Sequence, residues 1–288
     1  MDIYTFLIQI LNSVQYGLLL FLVASGLTLV FGIMGIINLA HGSFYMLGAY
    51  LAFSLTSLTG SLFGALFLGI PLTLLFGAGL EWALFSHLYK RNHMEQVLLT
   101  YGLILIFEEV RSLVVGDNVH GVPIPDMFSG SIALTDSLNY PIYRLVISSV
   151  CIVVAAGQYF LIQKTKLGMM IRAGNHDRDM VQVLGININL IYCVVFAMGV
   201  GLAAFAGMLA APVSSVFPGM GNSVLIISFV IVVIGGIGSV RGALFAALLV
   251  GFADTFGKVL IPDFAGAIVY MIMAAVLLWR PEGIFKNG

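Results

Sequence analysis

The residues best suited to acid–base chemistry are two groups of charged side chains inside otherwise apolar stretches. Glu108, Glu109 and Arg111 form the first group, and Asp254 and Lys258 form the second. Ionisable side chains in such surroundings often mark ion or proton pathways. Spacings of three and four residues also place opposite charges side by side on a helix. An ion relay and a local ion pair are therefore both open for each group, and we favour pairing for the first.

Sequence patterns typical of enzymes are incomplete in this chain. His41 and Ser43 are two residues apart, and that spacing alone does not predict that they act as base and nucleophile. Gly251–Val259 is similar to a phosphate-binding loop, but it has five residues between its glycines and no Ser or Thr after Lys258. No HExxH motif occurs. We therefore predict a chain that is not an enzyme, with no catalytic residues and no metal or cofactor of its own.

The composition predicts a membrane protein. Of the 288 residues, 60% are hydrophobic and only 9% are charged, with a mean hydropathy of +1.09, whereas about a quarter of an ordinary globular chain is charged. Residues 3–80 and 180–240 contain no Asp, Glu, Lys or Arg, and each stretch is long enough for at least two spans of roughly 20 residues. The net charge of −1 argues against a nucleic-acid partner. Cys151 and Cys193 lie in apolar segments and predict buried thiols rather than a disulfide.

We predict an all-α, polytopic membrane protein with a single transmembrane domain over residues 1–288 and about nine spans. Eight or ten are the alternatives, because re-entrant segments would change the count. The predicted spans lie near Phe6–Phe31, His41–Leu58, Leu62–His87, Gln96–Val115, Pro141–Ile162, Asn189–Pro212, Ser223–Ser239, Gly242–Leu260 and Phe264–Trp279. Basic loops stay in the cytoplasm, so that Lys90, Arg91, Arg280 and Lys286 predict an N-terminus outside and a C-terminus inside.

Two polar segments connect the predicted spans. Residues 116–140 are predicted outside and have loop composition; they are either a solvated connector or part of a docking surface for an extracytoplasmic partner. Residues 164–187 are predicted inside, and their interruption at Gly174–Asn175 predicts two short helices joined by a turn. An apolar helical stripe there fits either the membrane interface or a groove on a partner. The stripe consists of Leu167, Met170, Ile171, Val181 and Leu184.

Two glycine-rich breaks are candidates for a translocation pathway. Gly32–Ala49 contains the polar Asn38 and His41, and Gly235–Gly251 repeats its order of span, break and small-residue helix. Irregular backbone at membrane depth is tolerated only inside protein or beside water, and paired broken segments in a transporter indicate the pathway. The competing interpretations are an interfacial turn with a water-exposed His41, and glycines that only permit close packing. The predicted pathway residues are Asn38, His41, Gly42, Gly235, Gly236, Gly238 and Ser239.

A further run of small residues predicts helix packing. Gly199, Ala203, Gly207 and Ala211 recur at every fourth position and form one small-residue face. Such a face lets another helix backbone approach closely. It predicts a contact within the chain or with a partner chain, and no chemistry.

Three segments together resemble the branched-chain amino acid permease family of ABC importers. Leu29–Tyr50, with the letters LVFGIMGIINLAHGSFYMLGAY, closely resembles the first signature of the family, and Gly235–Gly242, GGIGSVRG, resembles the second. Pro281–Ile284 is similar to the closing turn of the family. Residues 164–187 resemble its cytoplasmic coupling loop. The resemblance covers essentially the whole chain.

The resemblance implies that residues 164–187 bind an ATPase subunit. Met169 and Val181 depart from the family, which often has Arg and Ala at these positions, and the larger Val181 is expected to alter how closely the segment seats on the ATPase. The residues assigned to coupling are Leu167, Gly168, Arg172, Ala173, Asp177, Leu184 and Gly185.

The resemblance also implies a function and partners. The chain is expected to be the permease subunit of an ATP-driven importer in a bacterial-type inner membrane. Its expected partners are a second homologous permease, two cytoplasmic ATPases that use ATP and magnesium, an extracytoplasmic solute-binding protein and membrane lipid. The expected solutes are leucine, isoleucine and valine, with urea, short amides, other amino acids and aromatic acids in the wider family. An ion-coupled secondary transporter would need buried Asp or Glu at mid-span, and an intramembrane hydrolase would need His41 beside a serine.

Overall fold

The computed structural model describes residues 3–89, 91–135, 138–176 and 178–285. Within these ranges the chain forms eleven α-helices and one two-stranded antiparallel sheet. The helices are α1 (Ile3–Met34), α2 (His41–Thr59), α3 (Leu62–Ala83), α4 (His93–Val115), α5 (Ile142–Lys164), α6 (Lys166–His176), α7 (Arg178–Val183), α8 (Ile188–Ser214), α9 (Met220–Gly235), α10 (Val240–Leu260) and α11 (Ala265–Trp279). The strands are β1 (Ser131–Thr135) and β2 (Leu138–Pro141). Short 3-10 turns occupy Phe85–Leu88, Asp126–Phe128 and Pro262–Phe264.

Six helices in the described part are long and apolar enough to cross a membrane. They are α1, α3, α5, α8, α10, and α11 together with the turn before it. α9 is apolar but has only 16 residues, whereas α2 and α4 contain polar or charged side chains such as His41 and Glu108. Each of the nine predicted spans coincides with one helix. The predicted helical, polytopic membrane class is therefore confirmed.

α1 is the central helix of the fold. It packs most extensively on α10 and α8, and it also contacts α5 and α9. Residues 21–27 of α1 are buried throughout. A Cβ added to Gly17 would lie 2.9 Å from the carbonyl oxygen of Ala247 in α10, and one on Gly26 would lie 2.7 Å from that of Gly199 in α8. Glycines at these crossings allow the close backbone approach by which helices associate in lipid.

The peripheral helices carry the apolar surface that faces away from this core. Phe67 and Trp82 of α3, Leu113 of α4 and Leu278 of α11 are largely exposed. Large exposed apolar surfaces on a soluble protein would favour aggregation. Around a transmembrane bundle they match the hydrocarbon of the bilayer.

The small-residue face of α8 makes its contacts within the chain. Gly199 lies against α1, and a Cβ on Gly207 would lie 2.9 Å from the carbonyl carbon of Tyr45 in α2. Ala203 and Ala211 are fully buried. A step of four residues turns about 40° around a helix, so that the row passes gradually from α1 to α2. Of the two predicted contacts, the geometry shows the one inside the chain.

The long connection between α4 and α5, predicted as a loop, contains regular structure. β1 and β2 pair within it, with Ile132 opposite Tyr140. His120 and Val216 exchange two backbone hydrogen bonds of 2.8 Å, and the His120 ring stacks on Phe53 at 4.2 Å. The connection is therefore attached both to α2 and to the segment between α8 and α9.

Candidate functional site

The first candidate site is the pair of short helices α6 and α7, which begins with a tight corner after α5. Thr165 Oγ1 accepts a hydrogen bond of 3.1 Å from the Gly168 N–H, and the Arg172 side chain donates one to the carbonyl of Ile162. A Cβ added to Gly168 would lie 2.5 Å from the carbonyl oxygen of Leu161. Glycine at this position therefore lets α6 turn back against the end of α5.

α6 continues past the position at which the sequence predicts a turn. Gly174 and Asn175 are both helical, and α6 continues to His176. The prediction of a turn at Gly174–Asn175 is therefore wrong. Glycine costs a helix only about 1 kcal/mol relative to alanine, and here Ile188 of α8 packs 3.1 Å from where a Cβ on Gly174 would lie. The packing of α6 on its neighbours outweighs the low propensity of the glycine.

α7 ends in a left-handed glycine. Gly185 has a φ of 80°. Its N–H donates to the carbonyl of Gln182 at 2.9 Å, and the Ile186 N–H donates to that of Val181 at 3.3 Å. This hydrogen-bond pattern is the Schellman motif, in which a glycine without Cβ strain satisfies the last carbonyls of the helix. The sequence assigned Gly185 to coupling, and its local role is to end α7 in a defined direction.

The outward surface of α6 and α7 is apolar. Met169, Met180, Val183 and Leu184 are 59%, 57%, 82% and 70% exposed; we call these four residues the coupling surface. An exposed apolar cluster on this segment fits either the membrane interface or a groove on a partner protein, and its role in coupling stays a prediction. Val181, by contrast, is only 3% exposed. It packs within the chain, so the expectation that its size directly alters the seating of an ATPase does not fit its position.

The residues predicted for coupling occupy different positions around this surface. Leu184 belongs to it, whereas Gly168 is buried at the corner with α5. Asp177 lies outside the described residues. Arg172, Ala173 and Gly185 are exposed, and Leu167 is half-buried.

The second candidate site includes the connection between α1 and α2, which re-enters the fold. His41 Nε2 lies 3.0 Å from the carbonyl oxygen of Val23, which is about 16 Å from the end of α1 by helix rise. Asn38 and His41 are both 0% exposed, and Asn38 Oδ1 accepts a hydrogen bond of 3.0 Å from the Ala40 N–H. The interpretation of a water-exposed His41 in an interfacial turn is therefore wrong. Residues 35–40 are irregular backbone enclosed by protein.

The three segments that resemble family motifs meet at one place. A Cβ on Gly32 would lie 2.6 Å from the Cα of Gly238, and one on Gly283 would lie 2.5 Å from the Cα of Gly236. The Ile284 N–H then donates a 2.9 Å hydrogen bond to a carbonyl near the end of α9. Gly236 and Gly238 have φ angles of 94° and 80°, which side chains rarely adopt. The second glycine-rich break thus contacts both the first break and the closing turn.

The remaining predicted pathway residues also lie at close crossings or caps. A Cβ on Gly42 would lie 2.7 Å from the Cβ of Leu225 in α9, and one on Gly235 would lie 2.5 Å from the carbonyl carbon of Gly242. Ser239 Oγ accepts a 3.1 Å hydrogen bond from the Gly242 N–H and caps α10. Close packing therefore accounts for these glycines, while their role in a pathway stays a prediction.

A cavity of about 420 Å³, lined by apolar and polar side chains, lies between α1, α5 and α10, with α2, α8 and α9 completing its wall. Its lining along α1 runs from Gln9 to Val23, a length of about 21 Å by helix rise. Arg144 contributes from α5, and Asp254 and Lys258 contribute from α10. The inner end reaches Val23, whose carbonyl contacts the re-entrant connection. The predicted pathway residues themselves do not line this cavity.

The sequence prediction missed the polar residues of α1 that line this cavity. Gln9, Asn12 and Tyr16 are spaced by three and four residues and therefore share one face of α1. That spacing was the available signal. No sequence pattern linked this face to Arg144, which comes from a helix far along the chain and donates a 2.7 Å hydrogen bond to Asn12 Oδ1.

Both groups of charged residues singled out in the sequence form ion pairs. Arg111 lies 3.3 Å from Glu108 and 2.9 Å from Asp117, and Lys258 lies 2.6 Å from Asp254. The hydrogen bond from the Arg111 guanidinium holds the pKa of the Asp117 carboxyl below its ordinary value. The local pairing interpretation therefore accounts for Glu108, Arg111, Asp254 and Lys258.

The fold defines a class of protein before any comparison is made. Six candidate spans in the described part, a re-entrant connection enclosed by protein and a cavity with charged side chains along the central helix are the features of a polytopic transport protein. Ligand sites in helical proteins commonly lie between the helices of a bundle.

Comparison with known sequences then gives the family. Residues 9–277 match the family described as the permease component of branched-chain amino acid transport systems, and the chain belongs to this family. It is a multi-pass permease subunit of an ABC transport system rather than an enzyme, as predicted, and the prediction of a bacterial-type inner membrane is confirmed by the same relationship. The alternative of an ion-coupled secondary transporter is not supported.

Several characterised relatives are similar over nearly the whole chain. The high-affinity branched-chain amino acid permease protein BraD of Pseudomonas aeruginosa is 31% identical over 300 residues, covering 98% of this chain and 96% of the relative. The corresponding LivH of Escherichia coli K12 is 29% identical over 294 residues, covering 97% and 95%. The ribose import permease RbsC of Haemophilus influenzae is 29% identical over 262 residues, covering 85% and 76%. No solved structure matches the chain.

Proposed function

We propose that this chain forms half of the translocation pathway of an ATP-driven importer and that leucine, isoleucine and valine are its solutes. The names of BraD and LivH, which are similar over nearly the full length, support this choice of solute. The observation that carries the proposal is the coupling surface, because an importer without a nucleotide motif of its own must receive force from a separate ATPase. The ATP and magnesium belong to that ATPase.

The proposed topology has nine crossings, with the N-terminus outside and the C-terminus inside. In this arrangement α2, α4 and α9 cross in addition to the six long apolar helices. It places α6 and α7 on the same side as Arg91 and Arg280, in agreement with the retention of basic loops in the cytoplasm. The connection between α4 and α5 then lies outside, where it is available to an extracytoplasmic solute-binding protein.

The proposed mechanism transmits the motion of the ATPase through α6. The coupling surface lies in a groove of one ATPase subunit, as amphipathic helices do on their partners. Because the Arg172 side chain and the Thr165–Gly168 hydrogen bond fasten α6 to the end of α5, movement of α6 is passed directly to a spanning helix. A second homologous permease and a second ATPase complete the assembly.

The proposal is tested by reconstituting the permease with its partner permease, ATPases and binding protein in proteoliposomes. ATP-dependent uptake of labelled leucine is expected, with isoleucine and valine as competitors and urea and short amides as non-competitors. Uptake that is equal with and without ATP would contradict an ATP-driven mechanism. Uptake of urea but not of leucine would contradict the proposed solute class.

The coupling role has a matched pair of variants. Gly185→Asp alters the left-handed end of α7, while Gly60→Asp alters the end of α2, where φ is 70° and no atom lies within 4 Å of an added Cβ. Both substitutions place a side chain in the same unfavourable conformation, at about 1 kcal/mol each. We expect only Gly185→Asp to lower ATPase co-purification. Equal co-purification with the two variants would contradict docking at α7.

A further inference from the structure

The cavity along α1 divides into a polar mouth and an apolar interior. Its volume of about 420 Å³ lies within the range of small-molecule sites, about 300 to 1,000 Å³. Toward the start of α1 the lining includes Asn12 and the charged groups of α5 and α10. Deeper along α1 it includes Leu19, Leu20 and Val23. A ligand that fits must therefore be charged at one end and aliphatic at the other.

The mouth carries one more basic than acidic side chain among the described residues. Arg144 and Lys258 are basic, and Asp254 is the single acidic group in the lining. Arg144 donates its hydrogen bond to the neutral carboxamide of Asn12, and it forms no ion pair with a described carboxylate. Because a guanidinium binds carboxylates through paired N–H donors, Arg144 offers a site for the carboxylate of a ligand.

Asp254 provides the complementary site for a cation. Its present partner, Lys258, lies 2.6 Å away, but the Lys258 side chain is 62% exposed whereas that of Asp254 is 12% exposed. Pairs that involve an exposed lysine contribute little, about 0–1 kcal/mol. An ammonium group entering the cavity can therefore displace Lys258 from the carboxylate at small cost.

We propose that this cavity is the solute subsite of the permease and that it recognises the zwitterion of an α-amino acid. Arg144 binds the carboxylate, Asp254 binds the ammonium, and the aliphatic side chain lies against Leu19 and Leu20. The inference rests on the proposed function for the identity of the aliphatic solute. The zwitterion recognition itself follows from the charges at the mouth.

The test uses a cysteine reporter in the full complex, embedded in nanodiscs without the binding protein. Cys151 and Cys193 are first replaced by serine, so that the permease has no native thiol. In this background Thr255→Cys places a reporter thiol in the cavity lining. As a control, Asp263→Cys places a thiol on the exposed turn after α10. We expect leucine to slow the reaction of the Thr255→Cys thiol with a membrane-impermeant maleimide, and to leave the Asp263→Cys thiol unaffected. Leucine that slows neither reaction would overturn the subsite.

The charge requirement is tested with leucine analogues. 4-Methylpentanoate lacks the ammonium and 3-methylbutylamine lacks the carboxylate, and neither is expected to protect the thiol at concentrations where leucine does. Protection by 4-methylpentanoate equal to that by leucine would overturn the zwitterion site in favour of a simple anion site. Protection that depends on added phospholipid, and not on leucine, would identify a lipid headgroup as the occupant and would also overturn the proposal.

Two variants assign the roles. Arg144→Gln and Asp254→Asn should each raise the leucine concentration for half-maximal protection by about 10- to 100-fold, the range for loss of a charged hydrogen bond. Asp263→Asn, outside the cavity, should leave it unchanged. Because Arg144 also donates a hydrogen bond to Asn12, the thermal stability of each variant is measured. If Arg144→Gln fails to fold, Asp254→Asn alone decides the test. Unchanged protection in Asp254→Asn would overturn the assignment.

Failure of this subsite and failure of the proposed function have different signatures. Wild-type proteoliposomes that import leucine, with a reporter insensitive to leucine, would refute the subsite alone. A reporter protected by zwitterionic amino acids in a complex that imports none of them would refute the transport function while the subsite stands.

Discussion

The substitution Gly168→Ala is expected to weaken the attachment of the ATPase without removing any atom that contacts it. The added Cβ would clash with the carbonyl oxygen of Ile162 and would lie 2.5 Å from that of Leu161. A carbon needs about 3.3 Å from such an oxygen, so α6 must move away from the end of α5 by at least about 0.8 Å. The hydrogen bond of the Arg172 side chain to the Ile162 carbonyl crosses the same gap and is strained by this movement.

The magnitude follows from the cost of inserting a methyl group into a packed contact. Such overpacking typically costs about 1–3 kcal/mol. If displacement of α6 relieves this overpacking, the displaced arrangement is favoured by the same free energy. The fraction of permease with α6 in the position that binds the ATPase then falls accordingly. The apparent Kd for the ATPase should then rise about 5- to 150-fold. Gly157→Ala, on α5, is the matched control, because nothing lies within 4 Å of its added Cβ.

The assay titrates fluorescently labelled ATPase against the permease in nanodiscs, with a thermal melt of each variant in parallel. We expect Gly168→Ala to raise the Kd and Gly157→Ala to leave it unchanged. A wild-type Kd for Gly168→Ala, together with a lowered Tm, would refute the reasoning. It would show that the corner supports the fold but does not set the position of the coupling surface.

Three further predictions concern packing, pH and access. Gly207→Ala should lower the Tm, because the added Cβ would clash with the carbonyl group of Tyr45 in α2. Gly102→Ala, with nothing within 4 Å of its added Cβ, should keep or raise the Tm, and equal effects of the two substitutions would contradict the close crossing. Arg111 lowers the pKa of Asp117 in the folded state. The stabilisation of the folded state by this pair is therefore complete above the ordinary pKa of about 3.8, and it is lost as the pH falls through the lower pKa of the folded state. The Tm difference between wild type and Asp117→Asn should therefore shrink only in that acidic range, and a constant difference would contradict the pair. A cysteine at Asn38 should react with aqueous probes in some nucleotide states only, and identical reaction in all states would contradict its place near the pathway.

The helices and the class of this protein could be predicted from the sequence because both depend on local information. Long apolar runs specify the helices wherever lipid or protein surrounds them, and charges specify where the runs end. The amphipathic spacing around Ile171 and Val181 correctly gave two short helices, but these two side chains pack within the chain rather than on the membrane interface or a partner. The prediction of a turn at Gly174–Asn175 was wrong because tertiary packing at Gly174 overrides helix propensity.

The depth of the α1–α2 connection could not be predicted in the same way. Composition identifies Gly32–Ala49 as a break, but a break is compatible with a surface turn as well as with a re-entrant segment. Only the contact between His41 and Val23, two residues on different helices, fixes the depth. The cavity is even harder to predict from the sequence. Its lining residues Asn12, Arg144 and Asp254 lie on three helices far apart in the chain, and they come together only when the other helices pack around α1.

The hydrogen bond from Ile284 to the end of α9 has a consequence for biogenesis. The last carbonyls of a helix need partners, and within a bilayer an unsatisfied carbonyl is costly. For α9 one partner is supplied by a segment that follows α10 and α11 in the chain. During synthesis this carbonyl of α9 therefore lacks its hydrogen-bond partner until α10 and α11 have been translated. Membrane integration of α9, α10 and α11 is expected to proceed as one cooperative unit, which the closing turn locks at the end.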